Sequence, residues 1–226
     1  MSIHESHSGP PLLAEGVRTH GTFTEVFSDA LRGSPVAVRG IARDDEVIPM
    51  HDWVKPAGLA DRLLLRNCKG MTLDVGCGPG RMSAHLAASG HQVLGVDIVG
   101  EAVVQARARG IAAVRRNVFD PMPAEGCWET VLLADGNIGI GGDPLALLRR
   151  TAELLHPGGR VVVDLAEPGT GVQIHAARLI AESRWSPTFR WARVGAEAIE
   201  GLASRAGFHV QSVGELNRRW FAVLTC

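Results

Sequence analysis

The stretch LDVGCGPGRMSAHLAASGHQVLGVDI, from Leu73 to Ile98, decides the fold that this sequence predicts. An apolar run leads into a glycine-rich hexad at 76–81, which is followed by a helix-forming segment and by a second apolar run that ends at Asp97. This order predicts a strand, a tight turn, a helix and a parallel strand, joined by a right-handed crossover. Because α/β proteins hold nucleotides at such turns, the loop is also the first candidate binding site.

From Gly70 onward, strand-like and helix-like segments alternate, which predicts a parallel sheet covered by helices. The strand-like segments are MTLDVG, HQVLGVDI, IAAVRRN, TVLLADG and RVVVDLAE. Helical regions are expected at 173–181 and at 195–206. The last two strand-like runs, FHVQSVGEL and RWFAVLTC, are separated only by Asn217 and Arg218, so they are predicted to pair as an antiparallel hairpin. The predicted fold class is α/β, a Rossmann-like, doubly wound mixed sheet of seven strands with the last one antiparallel.

The first 69 residues predict a cap on this sheet. Residues 1–19 mix Ser, His, Gly and Pro without periodicity, and they predict a flexible terminus. Residues 20–69 predict a helix in TFTEVFSDALRG, a hairpin in PVAVRGIARDDEVIPMHDW and a helix in AGLADRLLLRN. The chain is thus divided into a flexible segment at 1–19, a helical and hairpin N-terminal cap or lid at 20–69, and a main domain at 70–226.

Composition narrows the class of protein. The 226 residues are 46% hydrophobic and carry a formal net charge of -1, so no overall basic field gathers nucleic acid or anionic lipid. The four cysteines form no C-x-x-C pair, and no apolar stretch is long enough to cross a bilayer. We therefore expect a cytoplasmic protein that binds neither nucleic acid nor membrane.

The phase of the glycines separates two kinds of nucleotide loop. A dinucleotide fingerprint, G-x-G-x-x-G, would need a third glycine where this chain has Arg81. The chain instead reads D-x-G-x-G-x-G, beginning at Asp74. A carboxylate at that point repels a pyrophosphate but attracts an ammonium group. A nicotinamide-dependent oxidoreductase is therefore disfavoured.

The segment LDVGCGPG resembles the first motif of the class I S-adenosylmethionine-dependent methyltransferases. In that family an acid such as Asp97 contacts the ribose and an apolar residue such as Ile98 contacts the adenine. The segment NVFDPMP resembles the loop that meets the adenine, although the family more often has Asp where this chain has Asn117. The resemblance covers roughly residues 71–226, including LLHPGGRVVVDL and the closing hairpin, and ADGNIGIGGDP followed by LLRR resembles a group of small actinobacterial methyltransferases.

The resemblance implies that the main domain binds S-adenosylmethionine and transfers its methyl group to a small-molecule acceptor, with a natural product as one option. No metal is required. The atom that accepts the methyl group, whether O, N, S or C, does not follow from the pattern, and neither does the oligomeric state. The residues that the resemblance assigns to the cofactor are Asp74, Gly76, Cys77, Gly78, Gly80, Asp97, Ile98, Asn117, Val118, Ala134 and Asp135.

The acceptor is expected to enter between the cap and residues 171–193. Asp135 and His175 are the candidates for acceptor contact or for a general base, and His51 lies in the predicted cap. Two interpretations of Trp185, Phe189 and Trp191 stay open. They form an aromatic wall for an apolar acceptor, or they pack an inserted helix onto the sheet.

Three other functions compete with small-molecule methyl transfer. An RNA- or protein-directed methyltransferase is disfavoured by the balanced charge and by the absence of an N/D-P-P-Y/F signature after the fourth strand. A NAD-binding oxidoreductase is disfavoured by the glycine phase. A non-catalytic nucleoside-binding module would share the loop and would bind the cofactor without turnover.

Overall fold

The computed structural model describes residues 19–41, 46–47 and 53–226. The predictions for residues 1–18 and for His51 lie outside these residues. In chain order the strands are β1 (Thr19–His20), β2 (Val36–Arg39), β3 (Glu46–Val47), β4 (Thr72–Val75), β5 (Val93–Asp97), β6 (Ala113–Arg115), β7 (Trp128–Leu133), β8 (Leu155–Leu165), β9 (Val172–Ala181), β10 (Arg184–Trp185), β11 (Phe189–Val194), β12 (His209–Leu216) and β13 (Arg219–Thr225). The helices are α1 (Phe23–Leu31), α2 (Leu59–Leu65), α3 (Arg81–Ala88), α4 (Gly100–Ala108), α5 (Pro144–Leu154) and α6 (Ile199–Arg205), and short 3₁₀ turns lie at Asn137–Gly139 and Ala196–Ala198.

Seven strands form the main sheet, in the spatial order β12-β13-β8-β7-β4-β5-β6. The five neighbouring strands β8, β7, β4, β5 and β6 are parallel to one another. β13 pairs antiparallel with β8, and β12 pairs antiparallel with β13. This confirms the predicted doubly wound mixed sheet with its antiparallel end. None of the helices within the described ranges combines the length and the apolar character needed to cross a bilayer.

The central strands are buried on both faces, which explains their continuous apolar sequences. Leu73, Val131 and Val161, one from each of three neighbouring strands, are all fully buried. Helix α5 presents Leu147 and Leu154 to the same core cluster. Burial of this kind, at about 25 cal/mol for each Å² of apolar surface, is the main force that holds the sheet and its helices together.

The cap also follows the predicted order of elements. Helix α1 begins at a capping box, in which the Thr22 hydroxyl accepts the Glu25 backbone N–H at 3.2 Å and the Glu25 carboxylate accepts the Thr22 N–H at 2.7 Å. Strands β2 and β3 pair as an antiparallel hairpin. These elements and α2 confirm the predicted helix, hairpin and helix.

The helix predicted at 173–181 is wrong, because these residues belong to strand β9. β9 pairs with β2 on one edge and with β10 and β11 on the other, forming a second sheet with the path β1-β10-β9-β2-β3. The segment contains three alanines, one arginine and one leucine, which favour helices, but pairing on both edges overrides that preference. The insertion is thereby joined to the N-terminal hairpin in one sheet above the main domain.

The closing hairpin confirms the tight turn expected between the last two strands. Asn217 and Arg218 have φ values of 50° and 63°, which is the left-handed conformation that a two-residue hairpin loop requires. Asn tolerates this conformation better than Arg does. Arg218, the second residue of the turn, is therefore less suited to this conformation than Asn217.

We expect Arg218→Gly to raise the free energy of unfolding by about 1 kcal/mol, because glycine enters the left-handed region without steric cost. Arg149→Gly is the matched control, since Arg149 is an exposed residue within helix α5 and the same change there should lower stability by about 1 kcal/mol. Urea denaturation of both variants measures the two changes. A loss of stability in Arg218→Gly would contradict the left-handed geometry of the turn.

Candidate functional site

A cavity of about 750 Å³ lies between the two sheets, at the carboxyl ends of the strands of the main sheet. This volume falls within the roughly 300–1,000 Å³ of small-molecule sites. The floor is formed by the turns after β4, β5, β6 and β7, and the roof by α1, β2 and β11. Ten of the eleven residues predicted for a cofactor line the floor: Asp74, Gly76, Cys77, Gly78, Asp97, Ile98, Asn117, Val118, Ala134 and Asp135.

The glycine loop is held from two sides. The backbone N–H groups of Gly76 and Cys77 donate to the Val96 carbonyl at 2.8 and 3.1 Å. The Asn137 amide donates to the carbonyls of Val75 and Gly76 at 2.8 and 3.0 Å. A Cβ on Gly76 would lie 2.7 Å from the Asn137 Nδ2, so this contact requires glycine.

Gly80 is the one predicted cofactor residue that does not line the cavity. A Cβ on Gly80 would lie 3.0 Å from the Cβ of Ala106 in helix α4. Its contacts therefore indicate that this glycine allows the start of α3 to pack closely against α4. The first two glycines of the motif face the cavity and the third serves packing.

Asp97 is the last residue of β5, and its carboxylate holds the backbone of the glycine loop and of the turn after β5. Its Oδ2 accepts the Gly78 N–H at 3.0 Å and its Oδ1 accepts the Val99 N–H at 2.8 Å. Burial raises the pKa of this carboxyl, and these backbone donors partly offset the rise. A carboxylate oxygen has more than one acceptor position, so Asp97 retains capacity for a hydroxyl donor in the cavity.

Asp74 is a buried carboxyl in the floor, only 1% exposed. The Ser83 hydroxyl donates to its Oδ2 at 2.6 Å. Burial raises the pKa of Asp74 to about 7, and the negative charges of Asp135 and Asp97 add to this, whereas Ser83 and Arg81 act in the opposite direction. A cation bound beside Asp74 would stabilise its ionised form.

An ion-pair network joins the floor to the rest of the fold. We call it the five-residue network, and its members are Asp61, Arg81, Asp135, Asp164 and Arg219. Arg81 donates to the two Asp135 oxygens at 2.6 and 2.8 Å and also pairs with Asp61. Arg219 donates to Asp164 at 2.7 Å and to Asp135 at 3.1 Å, and it pairs with Asp61 as well.

The charges of the network shift the pKa of its members. Burial alone would raise the pKa of Asp61, but the Gly58 N–H and the charges of Arg81 and Arg219 outweigh burial and lower it. At Asp164, by contrast, burial outweighs the pairing with Arg219 and raises the pKa of the carboxyl. In the sequence, Arg81 stands out only because it replaces a glycine. Asp61, Asp164 and Arg219 carry no local signal, since their pairing depends on contacts between distant segments.

Asp135 has an unusual backbone for a residue other than glycine, with a φ of 53°. Its N–H donates to the Asp164 Oδ2 at 2.5 Å, while its carboxylate accepts from Arg81 and Arg219. Left-handed backbone costs about 1 kcal/mol in such a residue, and these contacts hold it in place. Because both carboxylate oxygens are engaged, the geometry favours a positioning role for Asp135 over that of a base.

Aromatic side chains dominate the roof. The Phe23 ring lies 5.5 Å from that of Phe27 and meets that of Phe189 edge-on at 4.9 Å, and Phe27 stacks on Trp53 at 5.9 Å. Trp191 also lines the cavity. Phe189 and Trp191 thus occupy the positions of an aromatic wall, and they lie on strand β11, so the alternative that they pack an inserted helix is wrong.

Trp185 and His175 lie outside the cavity lining. The Trp185 ring contacts that of His20 at 4.4 Å and the Arg178 guanidinium at 3.9 Å. His175 lies in strand β9 opposite Trp191, not at the start of a helix, and its Nε2 is buried without a hydrogen-bond partner. This predicted base is therefore not part of the cavity lining, although its cross-strand partner Trp191 is.

Within the described part of the chain, no group of three or more His, Cys, Asp or Glu side chains is arranged to hold a metal ion. The acids of the cavity floor are engaged by backbone donors, by Ser83 or by guanidinium groups. The arrangement is that of an organic-ligand site, with a polar floor and an aromatic roof.

Comparison with known proteins identifies sequence relatives. The profile of the methyltransferase domain family matches residues 52–213. The ubiquinone biosynthesis O-methyltransferase of Xanthomonas oryzae pv. oryzae is 31% identical over 144 residues, which cover 61% of this chain and 53% of that protein. The enzyme of the same name from Xanthomonas euvesicatoria is 30% identical over 71% of this chain and 63% of its own. The chain spans about half the length of the first of these relatives.

Solved structures share the fold at lower identity. A methyltransferase from Bacteroides fragilis, in complex with S-adenosyl-L-homocysteine, has a TM-score of 0.74 at 23% identity, over 89% of this chain and 93% of that chain. A sugar N-methyltransferase from Streptoalloteichus has a TM-score of 0.59 at 18% identity, over 98% of both chains. At these identities the likeness shows a common fold.

We expect Arg219→Met to lower the free energy of unfolding by about 3 kcal/mol, because it leaves Asp164 and Asp61 with less compensation for their buried charge. Arg218→Met is the matched control, since Arg218 is exposed in the adjoining turn and the same change there should have little effect. Urea denaturation at neutral pH measures both. Equal stability of the two variants would show that the five-residue network contributes nothing to folding.

Proposed function

We propose that this chain, which belongs to the methyltransferase domain family, transfers a methyl group from S-adenosylmethionine to a small organic acceptor. The observation that carries the proposal is the cavity itself, where Asp74, the glycine loop and Asp97 form a polar floor beneath an aromatic roof. The floor suits a charged nucleoside and the roof suits an apolar acceptor. The sequence relatives and the structures of the same fold support this assignment.

The floor fits the cofactor on two observations. Nothing lies within 4 Å of the position where a Cβ on Gly78 would stand, so the loop leaves open space at its tip. Asp74 forms no ion pair with any residue that the structure describes, so this buried carboxyl is available to an ammonium group. Both features match a ligand that carries an amino-acid end.

The residues assigned to the cofactor would divide its binding as follows. Asp97 would accept hydrogen bonds from the ribose hydroxyls, and Ile98, which is 43% exposed, would cover the adenine. Asn117 and Val118 would contact the adenine edge and ring. Asp74 and the backbone of Ala134 and Asp135 would hold the methionine end, and Gly76, Cys77 and Gly78 would give it a close backbone surface.

When bound, S-adenosylmethionine supplies a methyl group on a cationic sulfur, which is a strong electrophile for in-line displacement. The chain would contribute alignment and exclusion of water. Asn137 fixes the glycine loop and the five-residue network fixes Asp135. The aromatic roof would cover the acceptor. The prediction that Asp135 or His175 removes a proton gains no support from their positions.

We further propose that the enzyme acts in the cytoplasm on a small metabolite, in secondary metabolism. All four cysteines are free, which suits a reducing compartment. The acceptor would enter between α1 and β11, where Thr22, Phe23, Thr24, Phe27 and residues 189–191 line the cavity.

We expect Gly78→Val to weaken binding of S-adenosylhomocysteine by about a hundredfold or more, since the added side chain enters the space above the loop. Gly90→Val is the matched control, because Gly90 also has a positive φ and open space around its Cβ position but lies away from the cavity. Both variants carry a similar backbone cost, so thermal unfolding should place them together. Calorimetry measures the affinities. Binding of NAD in place of S-adenosylhomocysteine would overturn the proposed function.

The affinity for S-adenosylhomocysteine should depend on pH through Asp74. The pKa of Asp74 is about 7, so below that pH the carboxyl is protonated and must lose its proton when the ligand's ammonium group binds. The affinity for S-adenosylhomocysteine should therefore fall about tenfold for each pH unit below 7. Above pH 7 the dependence should disappear. Asp74→Asn should bind weakly with no such slope, and calorimetry between about pH 5 and 8 measures both proteins.

The same carboxyl predicts the stability of the ligand-free protein. Its folded pKa of about 7 exceeds the ordinary 3.8, so its contribution to stability is complete below about pH 4 and is lost as pH rises through 7. Asp74→Asn should remove this part of the pH dependence. If the affinity of the wild-type protein for S-adenosylhomocysteine stays constant from pH 5 to 8, Asp74 is not protonated in the ligand-free protein and both pH predictions are wrong.

A further inference from the structure

We propose that the roof of the cavity selects an aromatic acceptor that carries an anionic group, such as a carboxylate, and that Arg190 pairs with this group. The inference rests on the proposed function and names the chemical class of its acceptor. We call the residues concerned the acceptor half, and they are Phe23, Phe27, Trp53, Phe189, Arg190 and Trp191.

The aromatic rings of the acceptor half form one connected surface. Phe189 meets Phe23 edge-on, Phe23 stacks on Phe27, and Phe27 stacks on Trp53, with centroid distances of 4.9, 5.5 and 5.9 Å. Such a surface offers offset or edge-on contacts to another flat ring, and these contacts are more favourable than burial of the same area alone. A planar aromatic acceptor uses this surface more fully than an aliphatic one.

The glycine-rich run at 136–142 explains why β11 can present its residues to the cavity. A Cβ on Gly139 would lie 2.2 Å from the Ala192 carbonyl oxygen and 2.6 Å from the Trp191 Nε1. A Cβ on Gly142 would lie 2.5 Å from the Cβ of Arg190. These two glycines let strand β11 lie directly against the loop. The run that the sequence singled out without a function therefore positions the acceptor half.

Arg190 is the cation of the cavity roof, and among the described residues no acidic side chain pairs with it. Of the other two guanidinium groups in the lining, Arg81 pairs with Asp61 and Asp135. Arg116 lies after β6, in the floor, and donates to the neutral Pro121 carbonyl. Across the described ranges, the Arg190 side chain makes no hydrogen bond or ion pair. It is exposed while lining the cavity, so it can meet a ligand without displacing a partner.

The sign of the charges in the acceptor half favours an anion. The acids that line the cavity are, among the described residues, Asp74, Asp97 and Asp135, and all three lie in the floor. The roof contributes a guanidinium and the hydroxyls of Thr22 and Thr24. Guanidinium binds carboxylate, sulfonate and phosphate oxygens through paired N–H groups. An acceptor that carries an amine would meet repulsion at the same place.

The test uses a panel of small aromatic acids. Each acid is compared with three matched compounds: its carboxamide, which lacks the charge, its aminomethyl analogue, which has the opposite charge, and the acid with a saturated ring. Hydroxybenzoic, naphthoic and indole carboxylic acids form the panel. Ligand-observed NMR measures their binding to protein saturated with S-adenosylhomocysteine. We expect the aromatic acids to bind on average about fivefold tighter than their carboxamides, as for a partly exposed ion pair, and tighter than the amines and the saturated acids.

Arg190→Met should abolish the preference for acids over carboxamides. Arg193→Met is the matched control and should preserve it, because Arg193 lies on the same strand, pairs with Glu167 at 3.4 Å and does not line the cavity. Equal binding of acids and carboxamides to the wild type, or an undiminished preference in Arg190→Met, would overturn the inference. Absence of S-adenosylhomocysteine binding would instead overturn the proposed function, so the two failures are distinguishable.

Discussion

The ion pairs between Arg81, Asp135 and Arg219 are the contacts on which the floor of the cavity depends. They connect the start of α3 to the turn after β7 and to the antiparallel strand β13. The turn after β7 has a left-handed residue at Asp135, which would relax to another conformation without these partners. Asp164 completes the arrangement by accepting the Asp135 N–H. The polar floor is therefore held by residues that are distant in the chain and close in the sheet.

A second sheet supplies the other side of the cavity. Strand β9 pairs with β2 from the N-terminal cap and with β11 from its own insertion, so residues 36–39 and residues 189–194 belong to one hydrogen-bonded layer. Helix α1 packs beside it, and its Phe23 ring meets the Phe189 ring of β11. Under the proposed function, the cofactor and the acceptor would be bound by two separate sheets that face each other.

The sequence predicted the floor well because its signals are local. Asp74, Gly76, Gly78 and Asp97 are fixed by spacing within one βαβ unit, and the two-residue link at Asn217 and Arg218 allows only a hairpin. The roof was predicted less well. Residues 173–181 have helical propensity, and only their pairing partners, which lie far away in the chain, make them a strand. The partners of Arg81 were missed for the same reason, since an ion pair over such distances leaves no pattern in the sequence.

The contacts that hold strand β11 in place leave several of its side chains free to change during evolution. Its backbone is fixed by the ladder to β9 and by close contacts with Gly139 and Gly142, neither of which depends on the side chains at Phe189 or Trp191. Successive side chains of a strand alternate between its faces, so substitution at these positions can reshape the roof and leave the ladder intact. Substitutions at a few positions of one strand can therefore change what the roof contacts, while the floor of the cavity is inherited unchanged.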